Sequence, residues 1–93
     1  MPRIDITTTP TGEGWLCDVT VGNGGTTRHR VRVSRSDLAR LAPDASDPED
    51  LLRASIDLLL EREPKESILR DFDLTVIGRY FPDFEREITR RQG

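Results

Sequence analysis

The stretch that decides the fold of this chain is PEDLLRASIDLLLER, residues 48–62. Asp47 supplies a hydrogen-bond acceptor ahead of it, a proline opens it and acids follow in the first turn, which is the pattern of a helix start. At 100° per residue the apolar side chains, with Ser55 among them, cover an arc of about 200°, about twice what a surface helix needs. We therefore predict a helix that is either central to the core or shared with a second subunit.

The segment before this helix alternates apolar and polar residues with a period of two, which indicates β-strands. Ile4 and Ile6 mark a first strand, which the turn cluster at 10–14 ends. Two further strands follow, separated by the glycine-rich turn at 22–25. Their predicted inward-facing residues are Trp15, Cys17, Val19, Val21, Thr27, His29, Val31 and Val33.

Parity sets the register of the hairpin formed by the second and third strands. A two-residue loop would set apolar side chains opposite polar ones, whereas a three-residue loop at 23–25 pairs Cys17 with Val31. The same loop places Asp18 opposite Arg30 on the outer face of the sheet, an opposite-charge pair. We therefore predict the odd-length loop, closed with a glycine bulge.

The chain beyond the third strand reads as short helices around the long one. Ser34 or Ser36 can cap the first of them. Further short helices are expected at 65–71, at 74–81 and after Pro82.

The predicted fold class is therefore α+β, as a single domain over residues 1–93. A three-stranded antiparallel meander over about 3–33 precedes three or four helices, over about 35–90, that pack on one face of the sheet. The 93 residues suffice for one core, which an apolar content of 34% makes thin. Chains of this kind often complete their burial against a second subunit, so a homodimer is expected.

Composition and charge argue against several functional classes. The single cysteine excludes an internal disulfide and a thiolate metal site. No apolar run suits a signal peptide or a membrane span, so a cytoplasmic location without a membrane partner is expected. Residues 1–42 hold six basic and four acidic side chains and residues 43–93 hold eight and thirteen, so net charges of +2 and −5 sum to the −3 of the chain. No motif for a cofactor or a metal ion is present in the sequence.

Two clusters of side chains could carry chemistry. Cys17 and His29 lie within diagonal reach on one predicted sheet face, as a nucleophile and its base or half of a zinc site would. They lack an orienting carboxylate, and a buried cysteine usually packs as a small apolar residue. Glu61, Glu63 and Glu66 could act as acid and base, but no apolar surroundings are predicted for them. Both clusters are interpreted as structural, with no catalytic residue assigned, and an enzyme is the least favoured class.

Arg28, Arg30 and Arg32 alternate along the third strand. They would form a basic ladder on the exposed sheet face, which Arg35 extends. Such a ladder can bind phosphates, so nucleic-acid binding is the first alternative function. No outward-facing aromatic accompanies the ladder to stack bases, Asp18 neutralises part of it, and the chain is acidic overall. A solvated face or a docking site for an acidic partner fits these charges better.

The favoured function is a non-enzymatic regulatory or protein-interaction module that forms a homodimer. Its partner would be a second copy of itself or another protein. This interpretation depends on the wide apolar arc of the long helix and on the lack of a convergent polar site. The predicted interaction surface comprises Leu16, Arg28, Arg30, Arg32, Arg35, Arg79, Tyr80 and Phe81.

The sequence also resembles a group of small bacterial proteins, through LEREPKESIL at 60–69 and YFP at 80–82. No activity is assigned to that group, so the resemblance implies no functional residue. The segment 72–82 is similar to the recognition helix of tetracycline-repressor-type regulators, which would imply DNA binding. It departs from that pattern at Gly78, where an aromatic is usual, and at Asp73, which would repel phosphates. The order of elements is faintly similar to that of small antitoxins with a three-stranded sheet and a helix.

Overall fold

The computed structural model describes residues 3–22 and 24–92, which form an α+β fold with one four-stranded sheet in the order β1-β2-β3-β4. The strands are β1 (Arg3–Pro10), β2 (Gly14–Gly22), β3 (Thr26–Ser34) and β4 (Asp71–Asp73). The helices are α1 (Arg35–Leu41), α2 (Glu49–Arg62), α3 (Ile77–Tyr80) and α4 (Phe84–Gln92), with 3-10 turns at Lys65–Ser67 and Leu74–Val76. The helices cover one face of the sheet, as the sequence predicts, and the other face is open.

The antiparallel meander of β1, β2 and β3 has the predicted register. Cys17 lies opposite Val31, as the three-residue loop at 23–25 requires. Within that loop Gly24 has a φ of +76°, a left-handed conformation that glycine adopts at little cost, while Asn23 lies outside the described residues. The parity of the apolar positions was therefore enough to choose the register.

A fourth strand extends the predicted three-stranded meander and corrects the prediction of a helix over 65–71. β4 pairs in parallel with β3, and its central Phe72 is buried between exposed Asp71 and Asp73. Arg32 on β3 forms ion pairs with both of these carboxylates. Sheet pairing therefore supplies backbone and side-chain partners that a short isolated helix after Pro64 would lack.

α2 is the centre of the helical layer and packs against β1 and α4. Its buried residues are Leu51, Leu52, Ser55, Ile56, Leu58 and Leu59. The helix begins at Glu49 rather than Pro48, and the Asp47 carboxylate accepts a hydrogen bond from the Glu49 N–H at 2.9 Å. The wide apolar arc is thus covered within one chain and gives no reason of its own to expect a second subunit.

Two predictions at the margins of the core are resolved. Ser34, rather than Ser36, caps α1, because its hydroxyl accepts a hydrogen bond from the Asp37 N–H at 3.1 Å. Trp15 is only partly buried, although the sequence placed it in the core. It lies at the end of the sheet, where the Arg35 guanidinium stands 5.8 Å from the centre of its ring.

Replacing Ile56 with alanine tests the central position of α2. Ile56 is fully buried, so its truncation should lower the free energy of unfolding by about 2–5 kcal/mol in a urea titration. The neighbouring exposed residue Asp57 provides the control. Asp57→Ala should change the free energy of unfolding by no more than about 0.5 kcal/mol. Equal and small effects of the two substitutions would show that the helix is not packed as described.

Candidate functional site

An apolar groove opens where the C-terminal end of α2, the 3-10 turn after it, β4 and α3 meet. Its cavity volume is about 320 Å³, at the small end of the range for ligand pockets. The buried side chains in its lining are Leu59, Ile68, Phe72 and Ile77. Four separate elements therefore build one concave apolar surface.

Leu69 and Tyr80 stand exposed at this groove. Their exposed fractions are 44% and 65%, and both line the cavity. No other large hydrophobic side chain in the described part of the chain is exposed to this degree. Isolated exposed apolar residues are common on protein surfaces, but two that share one groove make it the candidate site of this fold.

A buried histidine fixes the backbone of Leu69. His29 Nδ1 donates to the Leu69 carbonyl oxygen at 2.7 Å, and Nε2 lies 2.8 Å from the Thr27 hydroxyl. Because a carbonyl oxygen only accepts, Nδ1 must carry the proton, and in the neutral ring Nε2 accepts from the hydroxyl. His29 thus ties β3 to the segment that enters β4 and holds Leu69 at the groove.

An ion pair supports the opposite wall of the groove. The Arg62 guanidinium packs over the Phe81 ring, 5.2 Å from its centre, and donates two hydrogen bonds to the Asp83 carboxylate at 2.8 and 2.7 Å. These hydrogen bonds are the main reason that the pKa of Asp83 is lowered to about 2. The paired geometry holds the end of α2 to the turn before α4, with Phe81 between them.

Glu63 is the one carboxylate in the lining of the groove. Its neighbours in sequence are paired, Glu61 with Arg91 and Glu66 with Lys65, and hydrogen bonds from these cations lower the pKa of both. For the partly buried Glu63 side chain, residues 3–22 and 24–92 offer no ion pair. The groove therefore carries one unneutralised negative charge beside its apolar floor.

The predicted basic ladder on the open sheet face is largely neutralised. Arg32 is held by both carboxylates of β4, and the Arg30 Nε lies 3.6 Å from an oxygen of Asp18. Arg28 is exposed and forms no ion pair with any described residue. Leu16 lies beside Arg32 in the register of the sheet and is half-buried.

The other predicted surface residues are divided between two places. Arg35 stacks on Trp15 and donates to two backbone carbonyls of the turn before β2. Tyr80 and Phe81 line the groove, whereas Arg79 is exposed outside its lining. The structure therefore does not bring the predicted interaction residues together on one surface. Only Tyr80 and Phe81 lie in the groove.

Sequence reasoning missed Leu69, Glu63 and Phe72 as residues of the groove. Residues 71–74 read DFDL and alternate polar with apolar residues, as a strand does, but four residues are too few to choose a strand over a helix. No local signal marked Glu63, since its place in the groove depends on how α2 meets β4.

Cys17 and His29 do not form a reactive pair in this structure. Cys17 is fully buried, and this burial is the main cause that raises the pKa of its thiol to about 11. Both ring nitrogens of His29 are engaged by Thr27 and Leu69, so neither is available to the thiol. Within the described residues no group of three or more side chains is arranged to hold a metal ion, and none of their helices is long and apolar enough to cross a membrane.

Comparison of the chain with protein-family models, with curated proteins and with solved structures finds no match. The resemblances in the sequence therefore stay predictions. Function is therefore inferred from the chemistry of the groove and of the sheet.

Replacing Asp83 with asparagine tests the support of the groove wall. The folded-state pKa of about 2 lies below the ordinary 3.8, so the pair stabilises the fold above pH 3.8 and this contribution is lost as the pH falls towards 2. We expect Asp83→Asn to lower the melting temperature at neutral pH, with the difference from wild type shrinking below about pH 4. Asp44→Asn, at an exposed carboxylate, is the control, and a pH-independent effect of Asp83→Asn would contradict the pairing.

The reactivity of Cys17 tests whether the inner face of the sheet is closed to solvent. A fully buried thiol with a pKa of about 11 has almost no thiolate at pH 8, so a disulfide reagent should label it only through unfolding. We expect the labelling rate in native buffer to fall whenever the free energy of unfolding is raised. In denaturant we expect full labelling within seconds. Rapid labelling of the native protein would show that the inner sheet face is open.

Proposed function

We propose that this chain is a non-enzymatic protein-interaction module that binds a peptide segment of a partner protein in the groove. The observation that supports this most strongly is that Leu69 and Tyr80, the large apolar side chains that are exposed in residues 3–22 and 24–92, share one concave surface. A cavity of about 320 Å³ suits one anchoring side chain and its neighbours rather than the whole face of a globular protein. Tyrosine is also a residue type that commonly dominates binding energy at interfaces.

The lining of the groove defines the chemistry of the partner. Its apolar floor favours an aliphatic or aromatic anchor, since burial of apolar surface contributes about 25 cal/mol per Å². No cation among the described residues pairs with Glu63, and a lysine or arginine beside the anchor would supply one. The proposed occupant is therefore a segment with an apolar anchor next to a basic residue.

The open sheet face supports the alternative of nucleic-acid binding less well. A phosphate there would have to compete with the carboxylates that already hold Arg30 and Arg32. Arg28 alone has no such partner among the described residues. One free arginine is a weak basis for a phosphate-binding surface.

Selection from a library of random displayed peptides, with the purified chain as bait, tests the proposal. We expect the enriched peptides to share an apolar anchor adjacent to lysine or arginine. Tyr80→Ala should weaken the selected peptides at least about tenfold, which corresponds to about 1.4 kcal/mol. Glu63→Gln should weaken them less and should reduce the salt dependence of binding, because it removes charge but keeps shape.

Leu16→Ala on the open sheet face is the matched control and should leave peptide affinity unchanged. Enriched peptides without a basic residue would contradict the assigned role of Glu63. Peptides that bind Tyr80→Ala as tightly as wild type, or a library that yields no enriched sequence, would contradict the groove as the binding site.

A further inference from the structure

β1 is an open edge of the sheet. It is the first strand in the sheet order, and its antiparallel pairing with β2 is unbroken along its whole length. The hydrogen bond from the Thr11 N–H to the Gly14 carbonyl, 2.8 Å long, continues this ladder. In an antiparallel ladder only every second residue turns its backbone N–H and C=O groups towards the partner strand. Because Thr11 faces β2, the odd-numbered residues of β1 also face β2. The backbone groups of Ile4, Ile6 and Thr8 therefore point away from the sheet.

Within residues 3–22 and 24–92, only one of these outward groups has a hydrogen-bond partner outside the sheet. Arg53 Nη1 donates to the Ile4 carbonyl oxygen at 2.8 Å. For the backbone groups of Ile6 and Thr8, the described residues provide no hydrogen bond outside the sheet. β1 contains no lysine and no bulge, its only proline is its last residue, and its two charged side chains, Arg3 and Asp5, pair with each other. Few of the usual devices therefore protect this edge.

We propose that two copies of this chain pair β1 with β1, antiparallel, about a two-fold axis at Ile6. The two sheets would then form one continuous sheet across the axis. Ile6 is only partly buried and packs against the core of its own copy, so Ile6 of the second copy would cover its remaining apolar surface. This dimer rests on the edge of the sheet and not on the groove, so the proposed peptide binding can fail without affecting it.

Backbone geometry limits the possible registers. Only the even-numbered residues of β1 have outward backbone groups that can form hydrogen bonds to a second copy. Even-numbered residues of one copy must therefore lie opposite even-numbered residues of the other. An axis at Asp5 would set two carboxylates directly opposite each other, which is destabilising. An axis at Thr7 would oppose Ile4 with Pro10, which has no N–H to donate. The axis at Ile6 avoids both problems.

The Ile6 register is also self-complementary in its side chains. It opposes Ile4 with Thr8 of the second copy on the helix side, and Asp5 with Thr7 of the second copy on the open face. Asp5 is already paired with Arg3 of its own strand at 3.1 Å, which reduces repulsion between the two Asp5 side chains across the diagonal. The Ile4 carbonyl has a second lone pair, so it can accept from the second copy while it accepts from Arg53. A second copy of this chain is thus the partner that the edge fits.

Cysteine cross-linking reads the register directly. Asp5→Cys and Thr7→Cys proteins are oxidised separately and as an equimolar mixture, with Cys17 silent because it is fully buried. Opposed residues that are not hydrogen-bonded to each other lie about 4.5 Å apart at Cα, within reach of a disulfide. We expect mainly the mixed disulfide between Asp5→Cys and Thr7→Cys. Disulfides formed mainly within the Asp5→Cys or the Thr7→Cys sample would overturn the register.

Sedimentation equilibrium over a range of concentrations tests the dimer itself. Thr8→Pro removes an outward N–H without removing a hydrogen bond to β2, so it should weaken self-association at least about tenfold while circular dichroism stays unchanged. Thr8→Val keeps both the N–H and the branched side chain, and it should associate as the wild type does. A wild-type protein that stays monomeric at millimolar concentration, or a Thr8→Pro protein that associates normally, would overturn the proposal.

Discussion

The parallel pairing of β4 with β3 is the contact on which the rest of this structure depends. It buries Phe72 in the core and brings the carboxylates of Asp71 and Asp73 to Arg32. It also places Leu69 where the buried His29 can hold its carbonyl oxygen. Without this short strand the segment after α2 would have no fixed position, and the groove between α2 and α3 would lose one wall.

The same pairing divides the surface of the molecule into regions with different chemistry. On the open sheet face it neutralises Arg32 and so removes charge that a phosphate would need. On the helical side it helps to form an apolar groove, whose Glu63 forms no ion pair with the part of the chain that the structure describes. At the far side of the sheet it leaves the outer edge of β1 open, because the chain returns to the sheet beside β3 rather than beside β1. The two proposed contacts, a peptide in the groove and a second copy at β1, therefore use opposite sides of the fold.

Much of this fold could be predicted from the sequence, because strand periodicity and helix caps are local signals. The register that pairs Cys17 with Val31 followed from the parity of a loop. β4 could not be found in the same way, because three residues are too few for a clear period and the Arg32 partner of Asp73 lies 41 residues away. Tyr80 was expected at a surface for binding, but the groove around it was not, since its walls meet only through tertiary packing. The apolar arc of α2 indicated either a central helix or a dimer, and the folded chain shows the central helix.

Amide hydrogen exchange measured by NMR tests the β3–β4 pairing most directly. The Arg30 N–H donates to the Arg70 carbonyl at 2.7 Å, and in a parallel ladder the Phe72 N–H then donates back to the Arg30 carbonyl. We expect strong protection of the Phe72 amide between rapidly exchanging Asp71 and Asp73 amides. Uniform rapid exchange over these three residues, or the continuous protection of a helix through 65–71, would contradict the β3–β4 pairing and the groove wall that depends on it.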